Sequence, residues 1–173
     1  GVIDITTSEL IDLINDGVYR PGNNRLTQAG AAELPQVVVP GAIDHTNWWV
    51  GECPQKFHNR EFYQYNVEIL LMRTNADEMT QLGEMMAERL NKAHGPVTVM
   101  IPTQGFSQHT IRKTQDIDGN EIGTWLQPET DQHFTDAIKA KLTHGVVKEL
   151  DMQINDETFA DACVEEFLEL MKQ

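Results

Sequence analysis

The sequence predicts an α/β fold built on a mostly parallel sheet. Three observations carry that reading. Apolar runs of strand length, at Val37-Val-Val39, Ile69-Leu-Leu-Met72, Val97-Thr-Val-Met-Ile101 and Val146-Val-Lys-Glu-Leu150, alternate with stretches whose apolar residues recur at helical spacing. The Val37 run is β-branched throughout, which suits a strand buried on both faces and so a central, parallel position. Each run stops at a short polar loop, as the carboxyl ends of parallel strands do where α/β proteins bind ligands. The alternation predicts a three-layer sandwich with right-handed crossovers, Rossmann-like or flavodoxin-like, around a sheet of about five strands.

Taken in order, Val2 to Ile5 reads as a short first strand. Thr6-Thr-Ser-Glu9 has capping-box spacing, and Leu10, Ile11 and Ile14 give the following helix its apolar stripe before Gly17. A second short helix is expected over Arg25 to Leu34, with Pro35 separating it from the Val37 strand. Asp44 to Trp48 is expected as a loop. Phe62 to Tyr65 and Ile69 to Met72 read as extended. Asn75-Ala-Asp-Glu78 caps the strongest helix, in which Met79, Leu82, Met86 and Leu90 share one face up to Gly95-Pro96. The Val97 strand follows. Thr103 to Gln127 then shows no helical period but carries the turn signal Asp118-Gly119-Asn120, so it is a cover, an interface arm or a small hairpin. Phe134, Ile138 and Leu142 mark a helix that stops at Gly145. The last helix presents Phe159, Cys163 and Phe167, widened by Ala160, Val164, Leu168 and Met171.

The 173 residues include 13 Lys+Arg against 27 Asp+Glu, a net charge of −14 that repels phosphate backbones and argues against a nucleic-acid partner. Much of that charge lies on the last helix as a solvated face. No apolar stretch reaches the roughly 20 residues that span a bilayer, so no membrane partner and a cytoplasmic address are expected. With only Cys53 and Cys163, a structural disulfide is not expected. The spacing of His45, Cys53 and His58 matches no structural zinc pattern, and no metal site is expected.

The loops after the strands supply the candidate chemistry. Asp44 and Asn47 pair a carboxylate with an amide just past a buried strand. They suit a polyol, a metal-bound water or a ribose; an Asx-type turn is the structural alternative. Arg73 ends an apolar strand, where a guanidinium grips a carboxylate or phosphate; the structural alternative is an ion pair with Asp77. Gly105 and Ser107 suit a backbone nest for an oxyanion, whereas a serine nucleophile has no partner assignable from sequence. Asn155 and Asp156 are placed as helix caps that also reach a ligand. Asp151, less easily explained by capping, is with Asp44 the candidate acid-base residue. Trp48, Trp49 and Trp125 line a pocket, pack under a lid or anchor a partner. The methionines at 79, 85 and 86 are packing.

Asp4-Ile-Thr-Thr7, Pro35 through Asp44, Leu71-Met-Arg-Thr74, Gly105-Phe-Ser107 and Ile154-Asn-Asp156-Glu-Thr-Phe159 occur together and in order. In these the chain closely resembles the carboxyl-terminal half of the Tm-one-like proteins, named for a plant tobamovirus-resistance protein and widespread in bacteria. That resemblance implies a single α/β domain over residues 1–173, the carboxyl-terminal half of a longer two-domain protein whose amino-terminal half is associated with ATP binding. It implies no cofactor in this domain, an ATP-binding partner domain, and assembly as a homo-oligomer. The function so implied is a small anionic-ligand crevice facing the ATP-binding domain. The alternatives are an enzyme domain acting on a phosphorylated or carboxylated metabolite, and a protein-interaction module.

Overall fold

The computed structural model describes residues 1–172. Its strands are β1 (Val2–Thr6), β2 (Gln36–Gly41), β3 (His45–Trp49), β4 (Phe62–Gln64), β5 (Ile69–Arg73), β6 (Val97–Pro102), β7 (Lys113–Gln115), β8 (Glu121–Thr124) and β9 (Val146–Leu150). Its α-helices are α1 (Glu9–Asn15), α2 (Gln28–Ala31), α3 (Ala76–Leu90), α4 (Pro128–Lys141) and α5 (Glu157–Leu170).

The architecture is α/β, but the single mostly parallel sheet of about five strands is corrected to two sheets. Four strands form a parallel sheet in the order β1-β2-β6-β9, and five form a separate antiparallel sheet in the order β3-β5-β4-β7-β8. The parallel sheet behaves as the β-branched runs require. Val38, Val97, Val99 and Ile101 pack with Leu10 and Ile11 of α1, Leu82 and Met86 of α3 and Phe134 of α4. From the opposite face, Val37, Val39 and Met100 meet Phe159 and Cys163 of α5. Apolar residues that alternate sides along β2 can be buried on both sides only if helices cover both faces.

The Ile69 run, expected in the parallel sheet, instead forms β5 of the antiparallel one, between β3 and β4. The stretch from His45 to Trp49, expected as a loop, is its partner, with His45 opposite Arg73 and Trp49 opposite Ile69. Polar residues such as His45, Thr46 and Asn47 conceal this strand from a hydrophobicity pattern. The partners of Thr46 and Asn47 are side chains of α1: Asn15 Nδ2 donates to Thr46 Oγ1 at 2.8 Å, and the amide of Asn47 donates to Asp12 Oδ1 at 2.7 Å. Asp12 is fully buried and also accepts from the Tyr19 amide at 2.7 Å. Burial pushes the Asp12 carboxyl up against these bonds, so a helix residue that looks solvent-facing instead fastens the second sheet to the first layer.

Local signals fared unevenly. The Asn75 capping box forms in full: Asn75 Oδ1 accepts from the Glu78 amide and Glu78 Oε2 from the Asn75 amide, both at 2.9 Å. The box at Thr6 to Glu9 does not form. Ser8 occupies the cap position without a side-chain bond, and Glu9 is taken by Arg25, which also grips Asp4 of β1. The segment from Thr103 to Gln127 resolves as the small hairpin β7–β8, preceded by a 3-10 turn at Gln108–Ile111. Asp116 closes its tip by accepting from the Asp118 and Asn120 amides, and Gly119 takes the left-handed φ of 90° that the turn demands. Among the described residues no helix is long and apolar enough to cross a membrane.

Candidate functional site

At the carboxyl ends of the parallel strands the two sheets leave a cavity of about 310 Å³. Ile5 and Thr6 enter it from β1, Gly41 and Ala42 from the end of β2, Phe106 to His109 from the loop after β6, and Ile154 and Asn155 from the loop after β9. The antiparallel sheet closes the far wall with His45, Asn47, Tyr65 and Leu71. The walls are held close: a side chain at Gly41 would sit 2.1 Å from the Ile5 carbonyl oxygen. Ala42 is non-glycine at a φ of 56°, fixed by its amide bond to the Phe106 carbonyl at 2.7 Å. A backbone held in that sparsely populated region beside a cavity fits a site that must be kept in shape.

Asp44 lies just behind the cavity and is buried. Its Oδ1 accepts from His45 Nδ1 at 2.8 Å, and its Oδ2 from Ser107 Oγ at 2.7 Å and Trp125 Nε1 at 2.8 Å. Burial pushes the Asp44 carboxyl up, but the bond and charge of His45, the charge of Arg73 and the Ser107 hydroxyl together hold it well below the usual carboxylate range. It is therefore a fixed anion that orients its neighbours rather than a group that trades protons near neutral pH. Ser107 spends its proton on Asp44 and accepts from the His109 amide at 3.1 Å, so it has no base of its own. Among the described residues, the far nitrogens of His45 and His109 and the amides of Ser107 and Gln108 have no protein hydrogen-bond partner, and all four residues line the cavity.

The other sequence candidates divide. Asn47 lines the cavity, but its amide group is tied to Asp12. Asn155 lines it with an exposed side chain, and its loop is braced by Gln153, whose side chain donates to the Ser107 carbonyl at 2.6 Å and accepts from the Asn155 amide at 2.6 Å. Asp156 precedes α5 without bonding its amides as a cap; its carboxylate accepts from the Gln153 amide at 2.9 Å. Gly105 stands at φ 127°, where any Cβ would meet Thr110 Oγ1 at 2.4 Å, so it shapes the loop.

Asp151 and Arg73, like Gly105 and Asp156, do not line the cavity. Asp151 is exposed and paired with Gln104 at 2.5 Å. Arg73, the last residue of β5 in the antiparallel sheet, lines a different cleft. Its partner is not Asp77: it bonds Asp131 at 2.5 Å and the carbonyls of Trp125 at 2.9 Å and of Asp44 and Thr74 at 3.3 Å each. Trp125 is fully buried beneath the cavity, Trp48 sits in a small core with Cys53, Phe62 and Met72, and Trp49 is half-exposed against Tyr19. His58 Nε2 donates to the Cys53 carbonyl at 3.0 Å and His45 donates to Asp44, and among the described residues no three His, Cys, Asp or Glu side chains come together to hold a metal.

His109 was not a sequence candidate and had no signal beyond its residue type. Its ring is buried against Tyr63, Tyr65, Trp125 and His45. Burial, with the nearby His45 charge, lowers its pKa from 6.5 to about 4. Between those values the unfolded chain takes a proton that the folded chain refuses, so protonation favours unfolding. Stability is expected to be full above about pH 6.5 and to fall as pH drops towards 4. Melting curves across that range should show the decline in the wild type and a flatter profile in His109→Phe. An unchanged slope in the variant would remove His109 as its cause.

The whole arrangement, from β1 to the end of α5, matches the sequence profile described as the C-terminal domain of the uncharacterised protein family UPF0261, over residues 1–171. The chain belongs to that family. A UPF0261 protein of Mesorhizobium japonicum is 36% identical to this UPF0261 C-terminal domain over 99% of the chain and 42% of its own length. One from Clostridium tetani is 32% identical over all of the chain and 41% of its own length. The ToMV resistance protein Tm-1 of Solanum lycopersicum is 32% identical over 98% of the chain but only 22% of its own length. The chain thus spans about two fifths of the bacterial relatives it matches.

Proposed function

We propose that this UPF0261 domain contributes a crevice for a small anionic ligand, at the face it turns towards the rest of a longer protein. One observation carries the reading: His45, Ser107 and Gln108 line one cavity, the Ser107 and Gln108 amides take no acceptor among the described residues, and the neighbouring Asp44 carboxylate is consumed by its own donors. Backbone amides presented in this way receive oxyanions. In this reading ATP belongs to the amino-terminal part of the longer protein, and this domain holds no cofactor. The Asp44–His45 pair favours a second reading, an enzyme domain acting on a phosphorylated or carboxylated metabolite, because a carboxylate on Nδ1 fixes the tautomer that leaves Nε2 as a base.

The test is a titration of the 173-residue chain followed by amide NMR and thermal unfolding. Millimolar phosphate or a small carboxylate is expected to move the Ser107, Gln108 and Asn155 resonances and to raise the melting temperature, since a ligand of the native state stabilises it. ATP is expected to do neither. Silence at these three amides with every anion would sink the crevice, and an ATP-induced shift would sink the division of labour.

A further inference from the structure

We propose that the crevice selects a small hydroxycarboxylate, with His45 and His109 together reading a hydroxyl beside the carboxylate. The inference rests on the anionic-crevice reading and adds the chemistry of the ligand.

The two rings present complementary nitrogens. Asp44 is an acceptor only, so the 2.8 Å contact makes His45 Nδ1 the N–H, and a neutral His45 offers Nε2 as a lone pair. His109 is arranged the other way round. Its Nδ1 is enclosed with no hydrogen-bond partner, and an orphaned N–H costs more there than an orphaned lone pair. The proton therefore sits on Nε2, the nitrogen left for the cavity that His109 lines. An imidazolium at this position would bury an unpaired N–H, so the ring stays neutral. Contacts with Tyr63 at 5.4 Å, Tyr65 at 5.6 Å and Trp125 at 5.7 Å between ring centroids hold it in place.

One acceptor and one donor thus face the same space from rings 5.5 Å apart. A carboxylate can only accept and an ammonium can only donate. A hydroxyl does both, giving its proton to His45 Nε2 and accepting from His109 Nε2. The Ser107 and Gln108 amides beside the pair take the carboxylate. Ile5, Leu71, Phe106 and Ile154 supply an apolar part of the wall beside Thr6, Asn47, Tyr65 and Asn155, so the cavity has room for a short hydrocarbon group on the ligand.

The experiment compares 2-hydroxy-3-methylbutanoate, both enantiomers, with 3-methylbutanoate by NMR titration of the 173-residue chain. One hydroxy acid enantiomer is expected to bind about tenfold tighter than the deoxy acid, the factor for one hydroxyl paired as donor and acceptor. His45→Gln and His109→Phe, checked for native amide dispersion, should each bring that ratio towards one while the deoxy acid still binds. Equal affinities in the wild type would overturn the hydroxyl reading and leave the crevice standing. No binding of any of the three acids would overturn the hydroxycarboxylate reading, and phosphate run in the same titration decides whether the anion crevice stands. The wild-type ratio decides even if a variant fails to fold.

Discussion

Asp44→Ala is expected to lower the stability of the domain by about 3–5 kcal/mol, the cost of removing one partner from a buried charged network. The substitution leaves the Trp125 indole N–H, the Ser107 hydroxyl and the His45 Nδ1 proton without their acceptor, all in a buried setting. It also removes an anion that acts on the Arg73 guanidinium through its charge. For a chain of this length the loss corresponds to a fall of roughly 10 °C in melting temperature. Asp44→Asn is milder in shape but presents an NH2 where one of these donors needs an acceptor, so it should fall between. Chemical denaturation with the midpoint and slope both recorded checks the series. A variant within about 0.5 kcal/mol of wild type, the range of an uncoupled surface change, would show that Asp44 is not the organising anion described here.

Arg73→Ala is expected to cost a similar amount, about 3–5 kcal/mol, and for the mirror reason. The side chain is 2% exposed and its head serves Asp131 together with the Trp125, Asp44 and Thr74 carbonyls, which tie β5 to the segment entering α4 and to the turn before β3. Removing it leaves the largely buried Asp131 carboxylate without its cation and takes a donor from the Trp125, Asp44 and Thr74 carbonyls, of which that of Asp44 keeps the Thr74 amide. Arg73→Lys should recover only part of the loss, because an ammonium cannot fork to several fixed acceptors. The effect is expected in melting temperature and not as a selective loss of crevice binding, since Arg73 lines a different cleft. Arg73→Ala that melted like the wild type but no longer bound anions would return the residue to the ligand site.

Together these two residues explain why a site can be half legible in a sequence. Asp44 and Ser107 were identifiable because each follows a hydrophobic strand directly, and the loops after parallel strands meet at one edge whatever the strand order. Arg73 follows an equally good strand, yet β5 runs in the other sheet, and the same local pattern places its side chain elsewhere. A four-residue apolar run reads alike in a parallel and an antiparallel sheet when both its faces are covered. Asp151 fails for a different reason: the loop after β9 continues past it, and the residues that reach the cavity are Ile154 and Asn155.

The sequence by itself determined the α/β class, the apolar faces of α3 and α4, the Phe159 and Cys163 stripe of α5, the Asn75 capping box and the family, whereas Ala160, Val164, Leu168 and Met171, expected to widen the α5 face, are exposed. Those properties are local or periodic, written in spacings of two to four residues or in motifs of a few residues. Only the tertiary structure decided that there are two sheets, that Asp12 fastens β3, that Arg73 answers to Asp131, and that His109 stands opposite His45. Each of these joins polar residues far apart in the chain, such as Asp12 with Asn47 or Arg73 with Asp131. The partner of a buried polar group is fixed by three-dimensional proximity and the cost of leaving it unpaired, and neither leaves a period in the sequence.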